Sequence, residues 1–192
     1  MKISTKDLKN KRQWRSATGL EEDKFYKLLE QFKLSYIEVY GKELKARLVD
    51  SNIEYCIKNE EELLLFILIS LKSGLNYDML GLMCGMNASN AKRNQKTGVD
   101  LLNKTLLTLG RLPFRNFMTI KEFEDYFAGI DTIIIDATEQ RIQRPKDKEE
   151  QKACYSGKKE QRTLKETIIA TKDKVIRYLS SLYQGKIMII VC

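Results

Sequence analysis

The residues best placed to do chemistry lie between 131 and 165. An apolar β-branched run, Asp131-Thr132-Ile133-Ile134-Ile135-Asp136, carries a carboxylate, Asp136, at what the pattern reads as a strand end. A carboxylate held on a strand is a rigid oxygen ligand for a hard cation. Ala137-Thr138-Glu139-Gln140 and Arg141-Ile142-Gln143-Arg144-Pro145 follow, and then a basic, glycine-containing turn, Tyr155-Ser156-Gly157-Lys158-Lys159. Lys158 and Lys159 suit contact with a phosphate backbone held against such a metal; a solvated turn is the plainer alternative. Glu139 reads as a loop or supporting residue and Asp131 as the start of the strand. Tyr155 fits packing beneath a sheet as well as it fits contact with DNA.

The chain contains no histidine. Ser-His-Asp triads, Cys-His dyads and histidine-ligated metals are therefore excluded. Cys56, Cys84, Cys154 and Cys192 are scattered and form no paired motif, which points to a reducing cytoplasm and away from zinc. Any hydrolytic chemistry falls to carboxylate, lysine, tyrosine or cysteine.

The elements that must position these residues change character once. Residues 1 to about 128 read as helices. Thr18-Gly19-Leu20-Glu21 has capping-box spacing, and Phe25, Leu28, Leu29, Phe32 and Tyr36 recur at helical intervals up to a stop at Gly41. Glu60-Glu61-Glu62 places negative charge at a helix start, and Leu63 to Leu71 is apolar on every face, the mark of a central helix that ends at Ser73-Gly74. Thr119-Ile120-Lys121-Glu122 opens a short amphipathic helix to about Ala128. From residue 131 the period becomes strand-like. The pattern predicts strands over 131–136, 162–171 and 175–182, a charged loop over 137–153, and a turn at Thr171-Lys172-Asp173-Lys174.

One helical pair carries a binding signal. Asn76 is placed to cap Tyr77–Cys84, Gly85-Met86-Asn87 is a short turn, and Ser89 is placed to cap a longer helix from about Asn90 to Leu109. The first half of that helix carries Asn90, Lys92, Arg93, Gln95 and Lys96, and the second half is apolar. Short helix, glycine turn and cationic helix N-terminus make the helix-turn-helix pattern. Its second helix enters the major groove, where Asn and Gln pair with adenine and Arg with guanine. An ordinary helical hairpin with a solvated basic face is the alternative.

Bulk properties agree with a polyanionic partner. The 192 residues carry a formal net charge of +8 and are 43% hydrophobic, enough for one or two domains with a real core. The apolar run at 63–71 is too short to cross a bilayer, and the polar, charged N-terminus shows no signal peptide.

Asp136-Ala137-Thr138-Glu139, Arg144-Pro145, Tyr155-Ser156-Gly157-Lys158-Lys159 and Thr163-Leu164-Lys165, in that order, resemble the first catalytic block of DDE transposases, closest to the insertion-sequence and harbinger-type DDE superfamily endonucleases. The segment from Leu63 to about Leu109 resembles the helix-turn-helix module that precedes the catalytic domain in that family. Arg162 stands where members often have histidine. The resemblance implies an α+β chain: an all-α helix-turn-helix DNA-binding domain over 1–112, then the first three strands of a ribonuclease-H-like DDE domain over 113–192. It implies Asp136 as the first of three carboxylates holding two Mg²⁺ (or Mn²⁺) ions for phosphoryl transfer, with binding weak or absent here because the second aspartate and the glutamate are missing. Double-stranded DNA, the terminal inverted repeats of a mobile element, is the implied partner. A homo-oligomer is left open, and the location is cytoplasmic, nucleoid-associated if bacterial.

In the family a His-Asp pair follows the third strand, whereas here Met188-Ile189-Ile190-Val191-Cys192 follows Ile187. If Ile187 is encoded ATC, reading one base earlier turns the next codons into CAT and GAT, His-Asp. The expectation is a truncated, frameshifted transposase whose strands after 131 are poorly covered, with Ile133, Ile135, Ile168 and Ile169 exposed. A DNA-binding repressor acting through the helix-turn-helix alone, and a helical interaction module, are the alternatives.

Overall fold

The computed structural model describes residues 1–49 and 55–186. Within them the chain forms two compact units, one up to Arg111 and one from Leu112 onwards. The expectations for residues 187–192 lie outside the described residues.

The first unit is helical: α1 (Lys11–Thr18), α2 (Glu22–Tyr40), α3 (Leu44–Val49), α4 (Glu60–Ser73), α5 (Tyr77–Cys84) and α6 (Ala88–Thr108). The caps explain most boundaries. Asn10, Asn59, Asn76 and Asn87 each accept a hydrogen bond from the third residue of their helix. Gly19, Gly41, Gly74 and Gly85 close α1, α2, α4 and α5 in the left-handed region. Two cap expectations change. The α6 cap is Asn87, not Ser89, because the turn ends two residues earlier. Thr18 closes α1 instead of opening α2: its hydroxyl donates to the Trp14 carbonyl at 2.7 Å and accepts from Leu20 N at 3.0 Å.

The core gathers about α4, whose residues 63–67 are all buried. Phe25, Leu29, Leu64, Phe66, Ile67, Leu80 and Leu102, the apolar positions the helical periods single out, are all buried. Trp14 joins them at a ring-centroid distance of 5.1 Å from Phe25. Burying such side chains contributes about 1.5–3 kcal/mol each relative to exposure. Two glycines let helices approach closely. A Cβ on Gly98 of α6 would lie 2.2 Å from Ile67 Cδ1, and one on Gly81 of α5 would lie 2.5 Å from the Met86 carbonyl oxygen. The second contact fixes how tightly the chain turns from α5 into α6, with Met86 N donating to Gly81 O at 2.8 Å.

The second unit contains α7 (Ile120–Phe127), β1 (Ile133–Arg141), α8 (Lys148–Ala153), β2 (Tyr155–Ser156), β3 (Gln161–Thr171), β4 (Ile176–Leu179) and β5 (Tyr183–Gln184). It is an antiparallel sheet built on β3. Strand β1 pairs along one side of β3, from Ile133↔Thr171 to Arg141↔Thr163. On the other side β4, β5 and β2 follow one another against Ile168–Ala170, Leu164–Lys165 and Gln161–Arg162. The molecule is therefore mixed helix and antiparallel sheet, α+β. The first strand is longer than expected, and the expected loop over 137–153 holds its second half and α8. Polar Thr138, Glu139 and Gln140 hide the strand from a hydrophobicity reading, and their strand conformation comes from pairing with Leu164, Lys165 and Glu166 of β3.

The two sheet faces differ. Phe117 stacks on Tyr178 at 5.2 Å, within a cluster that includes Phe114, Phe123, Tyr126 and Phe127. Tyr178 is the cross-strand neighbour of Ile169, and Ile169 is 5% exposed, which corrects the expectation that it is uncovered. On the opposite face Ile134 is 53% exposed. Ile135, at the edge, is exposed as expected, while Ile133 and Ile168 are half-buried. Among the described residues, the buried apolar side chains in this unit are Phe127, Cys154 and Ile169, against eighteen in the helical cluster. The helical unit thus holds most of the apolar stabilisation.

Limited proteolysis is expected to leave a stable fragment ending near residues 110–130, with fast amide exchange beyond 131; uniform strong protection over 131–182 would contradict it. Gly98→Ala gains about 1 kcal/mol of helix propensity but overpacks against Ile67, a cost of about 1–3 kcal/mol. A net loss of stability in denaturant melts is expected, relieved when Ile67→Ala is added.

Candidate nucleic-acid interface and carboxylate site

Asp136 lies within β1, three residues after its start, not at its end. Its side chain is exposed, and Oδ1 accepts from the Ala137 amide at 2.8 Å. Because side chains alternate along a strand, Asp136 shares a face with Ile134, Thr138 and Gln140, and with Glu166 and Ile168 of β3. Glu166 is its diagonal neighbour, about 7–8 Å away by backbone spacing. That carboxylate is already engaged by Arg115 Nη1 at 2.8 Å.

Two-ion phosphoryl transfer needs carboxylates that bring the ions within about 3.5–4 Å of each other. The described residues contain no group of three or more acidic, cysteine or histidine side chains able to hold a metal. Asp136 with one diagonal, ion-paired glutamate does not fit a two-ion site, and no reaction step follows from these residues alone.

Glu139 faces the other way. It shares its face with Ala137, Arg141, Thr163 and Lys165, so it cannot support Asp136. Thr163 Oγ1 donates to its Oε2 at 3.0 Å, and Lys165 Nζ lies 3.7 Å from Oε1; both charged side chains are largely covered. Burial raises the Glu139 pKa. Ser156, Thr163 and the charges of Lys165 and Lys159 more than offset this, so the carboxyl lies below its ordinary value.

Lys158 and Lys159 lie, exposed, in the turn joining β2 to β3. The register puts Asp136 opposite Ile168, seven residues along β3 from Gln161. At about 3.3 Å per residue the turn and Asp136 are some 23 Å apart. These lysines therefore do not hold one phosphate against a metal at Asp136; the separation matches about seven nucleotides of strand rise.

In the helical unit, Asn90, Lys92, Arg93 and Lys96 are exposed at the start of α6. Arg93 leans back on its own helix, its Nη2 donating to Asn90 Oδ1 at 3.0 Å. Gln95 departs from the expectation. It is half-buried, accepts from Tyr77 Oη at 2.8 Å and donates to buried Ser70 Oγ at 3.2 Å. Its amide ties α6 to α5 and α4 instead of projecting outwards. The sequence did carry that signal: Gln95 is four residues after buried Ala91 and three before Gly98, on the inward stripe.

Two arginines not singled out as contacts, Arg144 and Arg162, meet Lys148 and Lys152 around a cleft of about 410 Å³. Their density along 141–162 was visible; the β1–β3 pairing that brings 144 to 162 was not.

Residues 135–188 match the family model of the DDE superfamily endonucleases, a little over a quarter of the chain. The match bears out the resemblance carried by the residues from Asp136 onwards. No curated protein and no solved structure matches the chain.

The Glu139 geometry fixes a pH dependence. A folded pKa below the ordinary 4.5 means that the unfolded chain binds the proton more readily. The stabilisation is full above about 4.5 and is lost as the pH falls through the lower folded value. The sheet is expected to lose stability over that acidic window in the wild type, and Glu139→Gln to lack this component. A stability difference between the two proteins that stays constant from pH 6 to pH 3 would contradict it.

Proposed function

We propose that the chain is a transposase-type DNA-binding protein of a mobile element, in which α5 and α6 act as a helix-turn-helix and Asp136 is the first carboxylate of a metal-dependent DDE site. The observation that carries the proposal is the DDE superfamily endonuclease match at 135–188, which includes Asp136 on an exposed strand position. The tight return between α5 and α6 and the exposed Asn90, Lys92, Arg93 and Lys96 support the DNA-binding half. The net charge of +8 supports a polyanionic partner. Gln95 is left out of the contact set because its amide is engaged within the bundle.

In this reading Lys92 and Lys96, one helical turn apart, neutralise phosphates without reading sequence. Arg93 releases Asn90 and turns to a guanine edge, and Asn90 is then free to pair with adenine. The cost of breaking the Arg93–Asn90 contact is small, because an exposed polar contact exchanges with water.

A repressor reading is favoured by one observation. The described residues gather no carboxylate cluster about Asp136, so binding without cleavage is the activity they support best. Such a chain would occupy the terminal repeats of its element and block other copies.

Selection from a random duplex library, followed by anisotropy titration, tests the binding half. Arg93→Ala is expected to cost about 1–3 kcal/mol on the selected site and little on random duplex. Lys92→Ala and Lys96→Ala are expected to weaken both alike and to lower the salt slope by about 1 each. Unchanged binding by the triple variant would move the interface elsewhere. For the second half, incubation of the 192-residue chain with duplex DNA and Mg²⁺ or Mn²⁺ is expected to give no cleavage, and Asp136→Ala no change in binding. Cleavage that disappears in Asp136→Ala would overturn the binding-only reading.

A further inference from the structure

We propose that the cleft between α8 and the β2–β3 hairpin binds an unpaired nucleotide, with its phosphate on Arg144, Lys148 and Arg162 and its base on the ring of Tyr155. The cleft is lined by Arg144, Lys148, Gln151, Lys152, Tyr155 and Arg162. At about 410 Å³ it is within the size range of small-ligand sites. Four of the six lining residues are cationic and none is acidic. Lys152 is partly neutralised by Glu149, 3.3 Å away on the same helix. Arg144 donates from Nε to the neutral Gln151 Oε1 at 2.7 Å, which fixes its orientation and leaves its terminal nitrogens available.

Arg162 is the decisive residue. Its Nε is buried and has no hydrogen-bond partner among the described residues. A buried, unsatisfied donor on a charged group is costly, and the cost is greater beside other cations. An anion entering the cleft offsets the crowding of the four cations that line it. The backbone beneath is held from two sides: Ile142 N donates to Arg162 O at 3.0 Å, and Thr163 N donates to Cys154 O at 2.8 Å. The site is thus organised before a ligand arrives.

Tyr155 distinguishes a nucleotide from a bare anion. It pairs directly with Arg162 across the hairpin, and the residue is 42% exposed. An aromatic face beside a cationic groove is how single strands are held without sequence preference. Bases in a duplex are already stacked and cannot reach such a ring, so the cleft should favour unpaired over paired DNA. The choice of a nucleic-acid strand among phosphate carriers rests on the DNA-binding reading above; the cleft itself does not involve α6.

Anisotropy of fluorescein-labelled dT12 on the full chain tests the proposal. Arg144→Gln with Lys148→Gln is expected to weaken binding at least about 10-fold. Tyr155→Ala is expected to weaken it about 5- to 100-fold, the range of base–aromatic stacking, and Tyr155→Phe to stay within about 2-fold of wild type. Lys92→Ala with Lys96→Ala should leave dT12 binding unchanged while duplex binding falls. Loss of duplex binding to α6 variants without effect on dT12 supports two separate sites. If dT12 binds as expected but the α6 variants leave duplex binding intact, the helix-turn-helix reading fails and the cleft stands. An abasic oligomer that binds as tightly as dT12, or a folded Tyr155→Ala that binds dT12 like the wild type, overturns the proposal. So does a charge-reversed cleft, Arg144→Glu with Lys148→Glu, that keeps wild-type affinity, a surface change that leaves Tyr155 and the strands intact.

Discussion

The antiparallel register between β1 and β3 constrains the whole second unit. Strand side chains alternate with period two, so pairing Asp136 with Ile168 and Glu139 with Lys165 assigns the two carboxylates to opposite faces. One becomes an exposed side chain on the strand. The other becomes a covered ion pair with a lysine and a threonine. A slip of one residue would exchange them: Asp136 would turn to the face that carries Thr167 and Ile169, and the glutamate would turn to the opposite face. The Glu139–Lys165 and Glu139–Thr163 contacts oppose that slip, because they form in one register only. The acidic residue that does no chemistry in this reading is what keeps Asp136 pointing outward.

The helical unit was legible because its determinants are local. Asparagine caps, glycine stops and the 3.6-residue apolar period are decided within a few residues, and the central role of α4 follows from an unbroken apolar run. Where the reading missed, a distant contact decided. Helix α1, inside the stretch read as helical, was not delimited because its fully buried residues are Trp14 and Thr18 alone, and a threonine does not register as part of an apolar stripe. Ser89 and Asn87 are both competent caps; the close approach of Gly81 to the Met86 carbonyl, which no local pattern encodes, selects Asn87.

The sheet shows the same division. The apolar cores of β1 and β3 and the Thr171–Lys174 turn were readable, because β-branched runs and turn residues announce themselves. The extension of β1 through Thr138, Glu139 and Gln140 was not, since those residues gain their strand conformation from β3. Asp136 was singled out from its own neighbourhood. The cationic cleft was not, because Arg144 and Arg162 are eighteen positions apart and meet only after the strands pair.

Strand β3 also divides the sheet into one strict edge and one permissive edge. Along β1 it keeps nine consecutive pairs. Along its other side it meets three short segments in turn, each docked through two or three pairs. A single inserted codon within 133–141 or 161–171 would turn part of the sheet inside out. The same insertion in the connections at 143–147 or 181–182 would change a loop and leave the strand registers intact. Gly185 is the exception on the permissive side, because any side chain there would meet Thr163 and the Cys154 carbonyl within 3 Å. Length variation across natural copies of such a chain should therefore collect between the segments that dock on the outer side of β3, and should be absent from the two long strands.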